Sequence, residues 1–135
     1  MLALSIRQPY VELILRGMKT VEFRSRATRR VGERFYLYAA WPKTRDERLD
    51  ARALAMPPLA AMSCVARALG GTGNVRAIAA ADHMPLPAGV IVGTAVIDDC
   101  SYRDGWYHWR LSAPRRLKRP RKPKRHPQPT WFKPF

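Results

Sequence analysis

The sequence predicts an α+β fold: a small, mostly antiparallel β-barrel with a packed N-terminal helix and a helical insertion between its third and fourth strands. Three observations carry that expectation. Residues 4–24, LSIRQPYVELILRGMKTVEFR, hold a strand, a compact helix and a second strand in succession. Residues 89–98, GVIVGTAVID, read as a strand whose interior Gly93 suits the bend of a closing barrel. Alanine-rich sequence with a helical tendency fills much of the interval between them. The 135 residues make one domain, long enough for a real core, and 47% of them are apolar.

Ala3, Leu4, Ser5 and Ile6 read as the end of a short strand. Gln8-Pro9 then opens a helix, where proline's fixed φ and missing N–H do no harm. Val11, Leu13, Ile14 and Met18 recur near every third or fourth position and form its apolar face. Gly17 stops it as a left-handed cap. Residues 20–24 alternate, with Val21 and Phe23 on one face and Thr20, Glu22 and Arg24 on the other. Two strands joined by so short a helix bring Arg7, Lys19, Glu22 and Arg24 within reach of one cleft. An arginine-rich connector, RSRATRRVG, follows and holds Arg24, Arg26, Arg29 and Arg30.

A buried strand at 35–40 is broken by Trp41-Pro42. Thr44 is placed to cap a helix through residues 46–50, with acids in its first turn as the helix dipole favours. The helical tendency continues over 51–69 with an interruption at Met56-Pro57-Pro58. Residues 70–74 then form a flexible link, and a second alanine-rich helix spans about 75–81. After the strand at 89–98, Asp104-Gly105 marks a turn into an aromatic strand at 106–111. Residues 113–130 are rich in proline and base and show no core-forming pattern. They are expected to cross the surface in extended form before Trp131 and Phe132 return to the barrel.

Charge points to the partner. The net charge is +15, and the sequence pI is near 11.1. Residues 113–135 carry nine of the basic residues and no acid, so the excess is concentrated at one end. Such an excess favours polyanions, nucleic acid first and an anionic membrane second. No stretch approaches 18 consecutive apolar residues, so no spanning helix is expected. No secretory signal pattern opens the chain, and Cys64 and Cys100 stand alone without metal-ligand spacing. These features give the expectation of a cytoplasmic protein with no membrane partner.

Lys19 and Glu22 are the candidate catalytic pair, since a lysine and a carboxylate facing one cleft can exchange a proton. Lys19 and Arg24 are also suited to hold phosphate. The competing structural reading is an ion pair between Glu22 and Arg24 across the sheet. Arg7 and Gln8 flank the helix start, where free N–H groups attract anions; ordinary capping by Ser5 or Gln8 is the alternative. The run RRLKRPRKPKR supplies Arg115, Arg116, Lys118, Arg119, Arg121, Lys122, Lys124 and Arg125. Its charges can follow a phosphate backbone while prolines keep it extended. Trp106 and Tyr107 lie near it and could stack on bases, whereas Trp109 and Trp131 are expected in the core. The glycines of 70–74 lack the lysine and hydroxyl ending of a phosphate loop. His83, His108 and His126 show no ligand spacing, so no metal site is expected.

The segments LSIRQPY and GMKTVEFR resemble the signature of the ASCH domain, a branch of the PUA-like β-barrel superfamily. Gly17, Lys19, Glu22 and Arg24 fit that family's G-x-K-x-x-E-x-R pattern. The strands at 35–40 and 89–93, Trp109-Arg110-Leu111 and the late Trp131-Phe132 extend the resemblance over nearly the whole chain. It implies a PUA-like barrel and a nucleic-acid partner, RNA before duplex DNA. Some ASCH proteins are amidohydrolases of N4-acetylated cytidine that use a lysine, a threonine three residues after it and a distant glutamate. Here Glu22 stands at that threonine's place and Thr20 follows Lys19 directly, which argues against the same chemistry. Others resemble metal-assisted ribonucleases. The leading expectation is an RNA-binding module without cofactor. The alternative is a ribonuclease or modified-nucleoside hydrolase in the same cleft, with a divalent metal only in the ribonuclease case.

Overall fold

The computed structural model describes residues 1–55 and 86–135. Six strands form one sheet: β1 (Ala3–Arg7), β2 (Val21–Arg24), β3 (Arg34–Ala40), β4 (Val90–Arg103), β5 (Trp106–Arg121) and β6 (Trp131–Phe132). Two helices, α1 (Tyr10–Leu15) and α2 (Arg45–Leu54), complete the described elements. The expected helices within 56–81, the glycine link, Cys64 and His83 lie outside the described residues.

The sheet order is β2-β5-β4-β3-β1-β6. It differs from the expected barrel in two ways. The sheet is mixed, because β1 and β3 run parallel, Leu4 opposite Leu37, while the other pairings are antiparallel. The chain leaves β1 through α1 and the far-edge strand β2 before returning as β3, and a crossover of that kind permits parallel pairing. Among the described residues the sheet is also not closed, since β2 and β6 end the order without pairing to each other. Strand β6 pairs with Ala3 and Leu4 of β1, and the Ser5 N–H donates to the Thr130 carbonyl at 3.1 Å before the ladder on that edge stops. Side chains cross the gap instead. The Arg24 guanidinium donates to the Ser5 carbonyl at 2.9 Å, and Trp109 of β5 stacks on Trp131 of β6 at 6.0 Å.

Helix α1 buries Val11, Leu13 and Ile14. Met18, expected on the same face, is exposed. Its N–H instead closes the helix end on the Leu13 carbonyl at 2.9 Å, while Gly17, at φ +75°, bonds Ile14 at 3.0 Å. That pair of bonds is the left-handed stop the glycine predicts. The main core gathers Leu4, Ile6, Phe35, Leu37, Ile97, Trp109 and Leu111 around the helix. Thr44 caps α2 in a reciprocal box with Glu47, as its position predicts.

The long hairpin β4–β5 corrects the reading of the basic segment. Residues 113–121 are not a free surface crossing but the second half of β5, with Thr94 opposite Arg115 and Gly93 opposite Arg116. Register shifts near Gly93 and Val96 let the strand pass Pro114 and Pro120 without a regular ladder. Gly93 is fixed by crowding: a Cβ there would collide with the Arg115 carbonyl and lie 2.6 Å from the Leu15 side chain. Asp104 and Gly105, at φ 54° and 84°, make the predicted tight turn.

Candidate functional site

Where the sheet fails to close, a cleft of about 600 Å³ opens between β1 and β2. Its walls include Ser5, Arg7, Tyr10, Lys19, Glu22 and Arg24, with Phe23, Trp41 and Lys43 also lining it. The sheet thus brings Arg7, Lys19, Glu22 and Arg24 to one hollow. Strand β2 achieves this by turning its charged face inward: Glu22 is 9% exposed whereas Phe23 is 51% exposed.

Glu22 organises the floor. Its Oε2 accepts from Arg24 Nη2 at 2.8 Å and Nε at 3.1 Å, and its Oε1 lies 3.6 Å from Lys19 Nζ. Lys19 also donates to the Val21 carbonyl. Burial lowers the Lys19 pKa, and the Arg24 charge adds to that, while Glu22 pulls in the opposite direction without restoring it. The structural ion pair and the shared cleft therefore coexist, with one carboxylate holding two cations at the same opening.

Arg7 sits at the end of β1 and donates to Glu47 of α2 through Nη2 at 3.1 Å. Hydrogen bonds from Arg7, Lys43 and Thr44 overcome the opposing effect of burial and hold the Glu47 carboxyl below its usual range. Burial and the Glu47 charge push the neighbouring Tyr10 phenol up. Among the described residues, four cationic residues, Arg7, Lys19, Arg24 and Lys43, line the cleft with one carboxylate, Glu22, and Arg7 is also paired with Glu47.

Two residues expected to face nucleic acid are bonded within the fold, Gln8 buried and Arg116 half-exposed. Gln8 is 1% exposed; its Oε1 accepts from Glu12 N at 3.2 Å, and its Nε2 donates to Pro87 O at 2.9 Å. It satisfies the helix start, so that end is not a free anion seat. Arg116 grips buried Glu12 through both Nη atoms at 2.9 and 2.7 Å and ties β5 to α1. Of the connector, Arg26 and Arg29 are exposed, while Arg30 pairs with Glu33 at 3.1 Å. Arg115, Lys118 and Arg119 are exposed along β5. Arg121 lies 3.9 Å over the Phe135 ring. Lys122, Lys124 and Arg125 line a separate groove. Trp109 is in the core as expected, donating Nε1 to Arg26 O at 3.1 Å, and Trp131 packs against it.

Sequence reading missed Lys43 and the exposed aromatics of the rim. Trp41 read only as a strand breaker, yet it is 69% exposed at the mouth of the cleft. A large ring placed directly after a buried strand, followed by proline and lysine, was the available signal. Thr20, next to Lys19, does not line this cleft. Among the described residues no group of three or more His, Cys, Asp or Glu is placed to hold a metal ion, and no helix is long and apolar enough to cross a membrane.

The ASCH domain family model matches residues 4–131, nearly the whole chain. The protein belongs to the ASCH domain family. The match runs through the stretch that builds the cleft, from Leu4 on β1 to Arg24 on β2, and ends at Trp131 on β6. No match is found among curated proteins.

Proposed function

We propose that this ASCH domain binds single-stranded RNA in the cleft between β1 and β2. The observation that carries the reading is the composition of that cleft, in which four cationic residues line the same hollow as the exposed rings of Phe23 and Trp41. Cations neutralise phosphates, and exposed aromatic faces stack on unpaired bases, a combination suited to single strands rather than duplex grooves. The family is generally regarded as an RNA-binding, PUA-like domain, which agrees. The same reading takes the open sheet as a PUA-like barrel whose seam, left unpaired between β1 and β2, serves as the ligand site.

Anisotropy of a fluorescein-labelled single-stranded RNA over 50–200 mM salt tests this. Each lost phosphate contact lowers the slope of log K against log salt by about 0.7. Lys19→Ala and Lys43→Ala should each weaken binding and flatten the slope by roughly that amount. Unchanged affinity in both variants would remove the reading. A second reading, hydrolysis of RNA or of a modified nucleoside, is favoured by one observation: the Lys19 amine, its pKa lowered by burial, stands 3.6 Å from Glu22 in the open cleft. The same RNA, run on a denaturing gel with and without Mg²⁺, separates the two. Shortened product that disappears in Lys19→Ala supports hydrolysis of RNA, and intact RNA supports binding alone.

A further inference from the structure

Trp41 belongs to two hollows at once. On one side it closes the mouth of the cleft. On the other it lines a groove of about 580 Å³ formed with Tyr38, the start of β4 and residues 122–127. Lys122, Lys124, Arg125 and His126 stand along that groove, and among the described residues no acidic side chain lines it. Both volumes fall within the range of ordinary ligand sites.

The groove is a built surface. Residues following β5 fold back on the C-terminal segment, where Lys124 N and Arg125 N donate to Pro134 O at 2.7 and 3.2 Å. Arg121 rests over Phe135, whose ring meets Tyr36 edge-on at 5.6 Å. Backbone and ring contacts thus hold the segment, leaving the side chains of Lys122, Lys124 and Arg125 exposed. The indole of Trp41 adjoins the same groove. It rests against Gly89, where a Cβ would come within 3.3 Å of Nε1, and most of its surface remains free. A base stacked on that ring would have cations of the cleft on one side and cations of the groove on the other.

We propose that the groove beside Trp41 is a second RNA subsite continuous with the cleft, so that the protein takes a strand of several nucleotides across both. This rests on the cleft being the RNA site. Arg24 and Lys19 hold the strand on one side, Trp41 stacks at the divide, and the 122–127 segment receives the phosphates beyond it. The basic run therefore acts through a folded groove and not as a trailing arm.

Length dependence tests it. Labelled oligouridylates of two and eight nucleotides are titrated against the full chain at several salt concentrations. The octamer should bind wild type at least about tenfold more tightly than the dinucleotide, since one further stacked base is worth roughly that factor. Replacing Lys122, Lys124 and Arg125 together by serine should erase most of that gain. It should also flatten the octamer's salt slope by about 2, at roughly 0.7 per phosphate, and leave dinucleotide affinity within about twofold. Charge reversal by Lys124→Glu should act in the same direction, and it guards against misfolding of the triple variant. If the octamer's affinity and slope are unchanged by both while Lys19→Ala weakens the dinucleotide, the second subsite is wrong and the cleft stands. If Lys19→Ala leaves both oligonucleotides unaffected, the cleft is wrong and the continuous path falls with it.

Discussion

Lys19 shows how a motif residue acquires its character from position. The sequence places it after the Gly17 stop, and two successive N–H groups, those of Met18 and Lys19, both return to the Leu13 carbonyl. That folded-back end brings the amine down beside Glu22, where burial lowers its pKa and the carboxylate moderates the effect. Gly93 is the opposite case, a residue defined by what it lacks. The Arg115 carbonyl and Leu15 side chain occupy the space a methyl group would need, and the backbone half of that obstruction cannot rotate away. Gly93→Ala is therefore expected to destabilise the fold by about 1–3 kcal/mol. Urea denaturation of the variant measures it, and a cost below about 0.5 kcal/mol would show that β5 can shift aside without penalty. The motif and its glycine stop were legible at this scale. Trp41 was not, because periodicity describes what a strand buries and is silent on the ring that follows it.

At the scale of elements, Glu47 joins α2 to β1. The carboxylate closes the capping box with Thr44 and also receives Arg7 at the end of the strand. Thr44→Ala removes the hydroxyl that accepts the Glu47 N–H at 3.0 Å, and the expected loss is about 1 kcal/mol. Equilibrium urea denaturation reads it, with Thr44→Ser, which keeps the oxygen, retaining most of the stability. The cap was legible because its signature is local. The parallel pairing of β1 with β3 was not, since nothing in two short apolar stretches says which neighbour each will take. The full length of the hairpin was also hidden. Beyond Asp98 and Leu111 the residues are largely exposed and charged, so a ladder held by backbone bonds leaves no hydrophobic alternation to read. In β2 the alternation was visible, but two faces in a sequence do not announce which one turns inward. The unclosed edge beside β1 decides it, by giving charged side chains an open hollow to line.

Across the whole molecule, the described glutamates act as ties within a chain of net charge +15. Glu12 joins α1 to β5 through Arg116, Glu22 gathers the cleft, Glu33 holds Arg30, and Glu47 links α2 to β1. The surplus positive charge was plain in the sequence, but its division was not, because the ion pairs join residues as far apart as 12 and 116. That division has a consequence in acid. Burial alone would raise the Glu12 carboxyl, but hydrogen bonds from Arg116 and Arg16 outweigh it and hold the pKa below its ordinary 4.5. The balance at Glu47 has the same sign. A folded pKa below the unfolded one means the stabilisation is complete above about pH 4.5 and is lost as pH falls through the lower folded value. Each proton also adds to a chain already repelling itself. The melting temperature should therefore hold steady from pH 7 to about 5 and fall steeply below 4.5. Glu12→Gln should cost about 2 kcal/mol at neutral pH, as charge-assisted bonds to two guanidinium groups become neutral ones. It should also have the shallower acid decline, because one of the titrating ties is gone. Scanning calorimetry of both proteins from pH 7 to pH 3 decides the matter: parallel melting curves would mean that Glu12 contributes nothing to acid sensitivity and that its pairing with Arg116 is not what fastens β5 to the helix.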